Sequence, residues 1–490
     1  MIDLLLTPTF ASLVLALGAV QDPPELELEE VEIQAGARTV RAEVGYLTVP
    51  QLHGDREAGT LELAVLVRRC TAPEPGPPMF FLNGIPESAT DKAGEDYWDA
   101  YLEHGDVILF DQRGAGRSRP RLTWDQPPYR AECLLADRAT ARENMLATGA
   151  AMRSFAEGAG VSLSAFNTRE SAQDVDALRA ALGYEHIHLV GHSAGTHLGF
   201  EVLRRFEDRI VRFASLGTAG PNDIHSLPSE LDEFLRRIAA LAASDPRIGT
   251  QMPDLYERLE RVLDAVERKP LSLEVRDPRS GERVELLLGR HGLQFLLVLE
   301  LGDPEELALF PRLVFELEQG RTDVLTWFVE LRHRQLSTLP ALLFINRGAS
   351  GATRERWRRI DREAAVSPFG RVRCLFFPEL ADALGIADLG DAFRADVESE
   401  VPTLFVSGTL DGKTPSERAE RVRQGFAQSS HLLLQNGGHN ALVQHAEVHA
   451  RVARFLAGEA FDPEPIVLPE LRFAVLEGAD PLVDHPALRD

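Results

Sequence analysis

The segment Gly191-His192-Ser193-Ala194-Gly195 sets a serine between two glycines. It follows the apolar run His186-Ile187-His188-Leu189-Val190 and precedes a helix-forming stretch from Thr196 to Phe206. A turn that leads a strand straight into a helix leaves no room for side chains beside its central residue, so both glycines read as steric requirements. The turn would hold the serine hydroxyl above the strand end, near a helix N-terminus that favours developing negative charge. The chemistry this permits is nucleophilic attack on a carbonyl. The competing reading is an ordinary glycine-rich turn, against which the strand-then-helix context argues.

A serine hydroxyl is a weak nucleophile until a base takes its proton and a carboxylate orients the base. With such a turn the chain order expected is serine, acid, histidine. Ser407 to Pro415 follows the apolar run Val401 to Val406 and carries Asp411. Gly437-Gly438-His439-Asn440 follows His431-Leu432-Leu433-Leu434. Each candidate thus lies just past a strand's carboxyl end, where the ligand-facing residues of a parallel sheet collect. Taken singly, Asp411 is a solvated turn residue and His439 a surface loop histidine. Taken with Ser193, they complete a catalytic set. His192, His197, His445 and His449 lie beside the turn or in helical stretches and are poorer bases. His186 and His188 alternate on one strand and read as packing rather than as a metal pair.

The elements that must position these residues follow from pattern. Glu25 to Arg69 alternates apolar and polar residues, as strands with one solvated face do. Met79-Phe80-Phe81-Leu82, Val107-Ile108-Leu109-Phe110 and the runs already named are continuously apolar, which suits strands of a parallel sheet buried on both faces. Asn167 reads as a helix cap with Glu170 completing a capping box, and Gly183 as the stop. Strand, helix and strand in this order point to a parallel crossover. Pro221 to Val397 is helical in pattern, for instance over Ser229–Ala243 and Leu293–Leu317, with few strand signals. The expected architecture is α/β with a mostly parallel central sheet. Its core falls over 25–220 and 398–490, with the tail, and a helical cap is inserted over 221–397. His431–Leu434 reads as the last strand.

Composition bounds the partners. Of 490 residues, Lys and Arg supply 52 and Asp and Glu 76, a net charge of −24. Such a surface repels nucleic acid and anionic lipid. Hydrophobic residues make up 44%, with 24 Phe, which excludes global disorder. Three cysteines are too few and too scattered for a zinc site or a disulfide scaffold. Leu4 to Val20 carries no charge, holds an apolar stretch from Phe10 to Leu17, and ends in Gly18 and Ala19. Residues 1–20 therefore read as a signal peptide, and the protein as exported, periplasmic or secreted. Asp3, with no Lys or Arg before the run, stands against this reading. Cys133 and Cys374 could pair after export. Pro8 interrupts the run, and no other segment is long enough for a stable membrane span.

Asp111-Gln112-Arg113-Gly114-Ala115-Gly116-Arg117-Ser118 is close to a D-Q-R-G-x-G-x-S signature. With Asn167–Thr196 and Val401–Asn440 it gives the chain a resemblance to the α/β-hydrolase branch that holds proline iminopeptidases and secreted tripeptidyl aminopeptidases, over most of residues 40–450. The resemblance implies Ser193 as nucleophile, Asp411 as acid and His439 as base. It implies removal of amino-terminal residues from peptides, with no metal and no organic cofactor. That group's elbow usually carries tyrosine where this chain has Ala194. Its H-G-G-P-G segment, which supplies an oxyanion donor, is here Asn83-Gly84-Ile85-Pro86-Glu87. The expected oxyanion hole is the backbone at Ala194, Ile85 and Gly84. Asp111 and Arg113 are read as pinning a turn beside the site.

The expected substrate is a peptide or a small acyl compound. An aminopeptidase must anchor a free α-ammonium, and a buried cation needs a carboxylate partner. Glu87 is the sharpest candidate, and Glu300, Glu305, Glu306, Glu316 and Glu318 of the cap are others. An esterase or amidase uses the same triad, because fold does not fix substrate. A binding protein with a degraded site is the reading from another class, to which Ile85 and Glu87 lend some support.

Overall fold

The computed structural model describes residues 26–84, 88–122, 130–277, 280–336, 341–371, 378–461 and 463–478. The expected signal peptide, Ile85, Glu87 and Cys374 lie outside them, so the expected Cys133–Cys374 pairing does too.

Twelve strands follow in chain order: β1 (Leu26–Ala35), β2 (Arg38–Leu52), β3 (Asp55–Arg68), β4 (Met79–Leu82), β5 (Val107–Phe110), β6 (Ile187–His192), β7 (Ile210–Leu216), β8 (Leu271–Arg276), β9 (Arg283–Leu288), β10 (Thr403–Gly408), β11 (Ser429–Gln435) and β12 (Ile466–Val467). Ten form one sheet in the order β1-β2-β3-β5-β4-β6-β7-β10-β11-β12. The pairs from β1 to β5 are antiparallel, and every pair from β5 to β12 is parallel. β11 is not the last strand as expected; the two-residue β12 pairs beyond it and is too short to leave a sequence signal.

The apolar runs of β4 and β5 are buried throughout, as their composition demands. Successive residues point to opposite faces, so Phe80 joins a core with Leu63, Phe166 and Leu189, while Phe81 joins another with Trp98, Val190 and Leu432. Truncating either Phe to Ala would cost about 3–5 kcal/mol.

The helix Thr168–Ala181 begins at Asn167, whose side chain accepts from the N–H groups of Arg169 and Glu170. Glu170 does not complete a capping box. Its carboxylate instead accepts from the His53 N–H at 2.8 Å, tying the helix to the turn after β2. Gly183 ends the segment with φ +78°, a conformation that favours glycine.

Between β7 and β10 the chain carries helices at Pro228–Ser244, Leu255–Arg268, Arg290–Leu299, Pro304–Glu318, Asp323–Leu336, Ala341–Ser350 and Arg354–Ala364. It also carries the antiparallel hairpin β8–β9, which the expectation of a helical stretch with few strand signals did not place. Leu271 to Arg276 alternates in burial, so the period-2 signal was present but short. The helix read through Leu293–Leu317 is broken between Leu299 and Pro304, where Gly302-Asp303-Pro304 interrupts it. Among the described residues no helix is long and apolar enough to cross a membrane.

Candidate active site

β6 delivers Ser193 to the sheet's carboxyl edge, and the helix Ala194–Phe206 starts on the next residue. Ser193 has φ 54° and ψ −122°, a strained conformation for a residue with a Cβ, of a kind that collects at functional sites. The surroundings hold it there. Its N–H donates to the Leu216 carbonyl at 2.9 Å. Its carbonyl accepts from Thr196 Oγ1 at 2.7 Å, and that hydroxyl accepts from the Ala219 N–H. The glycine requirement is literal. A Cβ on Gly195 would fall 1.8 Å from the Leu82 carbonyl oxygen, and one on Gly191 would fall 2.9 Å from the Gly195 oxygen.

β6, β7, β10 and β11 are neighbours in that order, so the turns after them share one edge. Asp411 follows β10 and His439 follows β11. His439 Nδ1 lies 2.8 Å from Asp411 Oδ2, and both side chains are buried. Asp411 also accepts from the Lys413 N–H at 2.8 Å, the Thr414 N–H at 2.9 Å and Thr414 Oγ1 at 2.5 Å. Burial pushes the Asp411 carboxyl up, but His439 and the Thr414 donors outweigh it and hold the group well below the usual carboxylate range. It is ionised at neutral pH. Gly217, at φ 65°, packs beneath this pair; a Cβ there would sit 2.7 Å from Thr414 Oγ1 and 3.3 Å from His439 Cε1.

Ser193 makes no hydrogen bond to His439 among the described contacts. In resting sites that bond is often long and tightens when substrate binds. His192 stays buried behind the pair, its Nε2 3.3 Å from the His439 carbonyl. Burial first, and His439 second, push its imidazole far below the ordinary range, so it is neutral. His197 is engaged with the Gly220 carbonyl and Ser350, and His449 with Tyr101 and the Val443 carbonyl.

The expected oxyanion donors are described in part. The Ala194 N–H, at the first position of its helix, has no carbonyl partner within that helix. Gly84 lies beside Ser193: a Cβ built on it would be 3.5 Å from Ser193 Cβ and 3.9 Å from Ser193 Oγ. The Asp111–Ser118 turn supports this segment. Asp111 accepts from Ser88 Oγ, from the Thr90 N–H and hydroxyl, and from the Arg117 N–H. Arg113 is fully buried and bidentate on Asp174 at 2.6 and 2.7 Å. Between them, Gln112 Nε2 donates to the Asn83 carbonyl at 3.1 Å. Gln112 therefore braces the strand end facing Ser193, which sequence reasoning missed.

It also missed Thr414, although a Thr three residues after an Asp in a loop is a recognisable turn pattern. The cap glutamates part ways. Glu300 is buried and bidentate on Arg332. Glu316 pairs with Arg312 and Glu318 with Arg258, while Glu305 is exposed. Glu306 is mostly buried with Oε2 unpartnered, and burial raises its carboxyl above the ordinary range.

A tripeptidyl aminopeptidase of Streptomyces lividans and one of Streptomyces coelicolor are each 28% identical over 193 residues, covering 36% of this chain and 35% of the relative. The chain thus spans about a third of the length of these curated relatives. Among solved structures, a proline iminopeptidase of Mycobacterium smegmatis is 18% identical, covers 84% of this chain and 98% of its own, and has a TM-score of 0.40. An esterase of Thermogutta terrifontis is 16% identical, covers 88% and 98%, and has a TM-score of 0.35. The alpha/beta hydrolase fold family matches residues 77–446, about three quarters of the sequence, and the chain belongs to that family of hydrolases.

Proposed function

We propose that this hydrolase is a serine aminopeptidase. Ser193 Oγ attacks the carbonyl of a peptide bond near the substrate's amino terminus while His439 takes its proton. Asp411 orients the imidazole and stabilises the imidazolium. Collapse of the tetrahedral intermediate breaks the C–N bond, and His439 returns the proton to the leaving amine. Water then attacks the acyl-enzyme by the same route in reverse. In this reading, backbone N–H groups at Ala194, Ile85 and Gly84 stabilise the oxyanion.

The observation that carries this reading is the Asp411–His439 pair, 2.8 Å apart, on the sheet edge where Ser193 is held at positive φ. The peptidase assignment is supported by the Asp111–Ser118 segment and by the tripeptidyl aminopeptidase relatives. Glu306 joins Glu87 as a carboxylate available to a substrate ammonium. Export is part of the proposal, resting on the uncharged run from Leu4 to Val20; mature protein from its source would begin near Ala19 to Asp22, and recovery of Met1 on that protein would remove it.

The test is labelling with a fluorophosphonate, followed by paired peptide nitroanilides with free and acetylated amines. Labelling of the wild type and its loss in Ser193→Ala are expected, with turnover down by about 10⁶. Free-amine substrates should react much faster than acetylated ones. Equal rates would place the chain among ester and amide hydrolases instead, and wild-type turnover in Ser193→Ala would end the nucleophile assignment.

A further inference from the structure

A cavity of about 320 Å³ lies at the other end of the sheet from Ser193. It is lined by residues near the start of three parallel strands, Met79 of β4, His188 of β6 and Arg212 of β7, and flanked by Tyr101 and by Leu456 at the end of the helix Ala446–Leu456. Its size falls in the range of small-molecule sites.

His188 and Arg212 are register partners on adjacent strands, so their side chains stand together on one face. Arg212 is half-buried over the Phe455 ring, 5.4 Å from its centroid. It makes no ion pair or hydrogen bond among the described residues. By contrast, the buried Arg113 is held by the Asp174 carboxylate. His188 is more than nine-tenths buried, and its Nδ1 has no hydrogen-bond partner. Burial, reinforced by Arg212, pushes its imidazole down to about 4, so at pH 7 it is a neutral donor. The Tyr101 hydroxyl is already engaged by His449 at 2.8 Å. The wall then offers one cation without a carboxylate partner, the neutral imidazole of His188, the His104 side chain, and apolar surface from Met79, Val211 and Leu456.

We propose that this cavity binds a small carboxylic acid with an apolar tail. The planar fork of Arg212 takes the carboxylate, the His188 ring lies beside it, and the tail runs along Met79 and Leu456. A single guanidinium suits a monoanion rather than a phosphate dianion.

The test is calorimetric titration of the full-length protein with octanoate, alongside 1-octanol. Octanoate should bind saturably at one site, and 1-octanol at least ten times more weakly. Arg212→Met should weaken octanoate at least ten-fold while leaving fluorophosphonate labelling of Ser193 unchanged. Arg212→Gln, which keeps a polar head in the fork's place, is measured in the same way should the Met variant fail to fold. Absence of octanoate binding, equal binding of 1-octanol, undiminished binding in the Arg212 variants, or binding that disappears once Ser193 is labelled would each overturn the assignment.

Discussion

Asp303 Oδ1 accepts the backbone N–H of Asn440 at 2.8 Å, one residue past His439, whose own N–H donates to the Gly302 carbonyl at 2.8 Å. The other oxygen of Asp303 lies 3.6 Å from Lys413 Nζ, in the turn that carries Asp411. The four-residue break between helices of the segment inserted after β7 thus fixes the loop bearing the proposed base and touches the loop bearing the proposed acid. Gly438 completes the fit, since a Cβ there would meet Asp303 Oδ1 and the Gly302 oxygen at 2.7 Å each.

Asp303→Ala should therefore lower kcat with little change in KM. A charge-assisted hydrogen bond is worth about 1.5–3 kcal/mol, so a loss of roughly ten- to a hundred-fold is expected. Asp303→Asn keeps an acceptor for the Asn440 N–H and should recover most of the rate. Steady-state kinetics on both variants decide it; an Asn variant as impaired as the Ala variant would show that charge, not loop position, is what matters.

The two glycines nearest the serine should respond in opposite ways. Gly195→Ala forces a Cβ to 1.8 Å from the Leu82 carbonyl, a backbone atom in the sheet interior. Overpacking of this kind typically costs about 1–3 kcal/mol and here sits at the severe end, so denaturant midpoints should fall sharply or the protein fail to fold. Gly84→Ala meets Ser193 Cβ at an ordinary 3.5 Å. It should leave the midpoint nearly unchanged and alter turnover instead, because the added methyl faces the nucleophile.

Much of this site was legible before any coordinates. The G-x-S-x-G turn, the apolar runs and the placement of Asp411 and His439 past strand ends all rest on local rules, steric in the first case and period-based in the others. What escaped was non-local. Nothing at Gln112 announces that its amide reaches the Asn83 carbonyl, because β5 and β4 become neighbours only in the sheet. Nothing in Gly302-Asp303-Pro304 tells a helix break from a brace for a loop more than 130 residues away. Glu170 shows the converse: the capping-box spacing was real, but a competing donor, the His53 N–H, claimed the carboxylate.

Asp411→Asn separates catalysis from stability. The Asn oxygen can still accept from Thr414, but its NH₂ then faces His439 and favours the wrong imidazole tautomer. Turnover should fall by about 10³–10⁴ with the fold intact. In the folded state the wild-type carboxyl is held below its ordinary value, so the unfolded chain binds the extra proton as pH falls through about 4. The stabilisation is fully present above that pH and drains away as pH drops towards the depressed folded value. Urea unfolding between pH 4.5 and 3 should show the wild type losing stability more steeply than the Asn variant, by up to one proton's worth of slope. Parallel slopes would mean that the Asp411 carboxyl is not held below its ordinary value in the folded protein.

Under the proposed aminopeptidase function, substrate choice turns on which carboxylate receives the amine. Glu300 is an unsuitable anchor, because Arg332 already holds both of its oxygens. Glu306 is three residues from Asp303, and its Oε2 is buried without a hydrogen bond. A buried carboxylate oxygen left unpaired is costly, and a substrate ammonium would relieve that cost. Burial raises its carboxyl above the ordinary range, so a bound cation should also pull that value back down. Glu306→Gln keeps the size and removes the charge. It should raise KM for free-amine nitroanilides by ten-fold or more, in line with about 1.5–3 kcal/mol for a charge-assisted bond, and leave the acetylated substrates nearly untouched. Glu87→Gln, measured in parallel, distinguishes the two candidates, because only the residue that holds the ammonium should narrow the gap between free and acetylated substrates. If the gap survives both substitutions, the anchor is another group, and if the wild type shows no gap, the protein hydrolyses acyl bonds without reading an amino terminus.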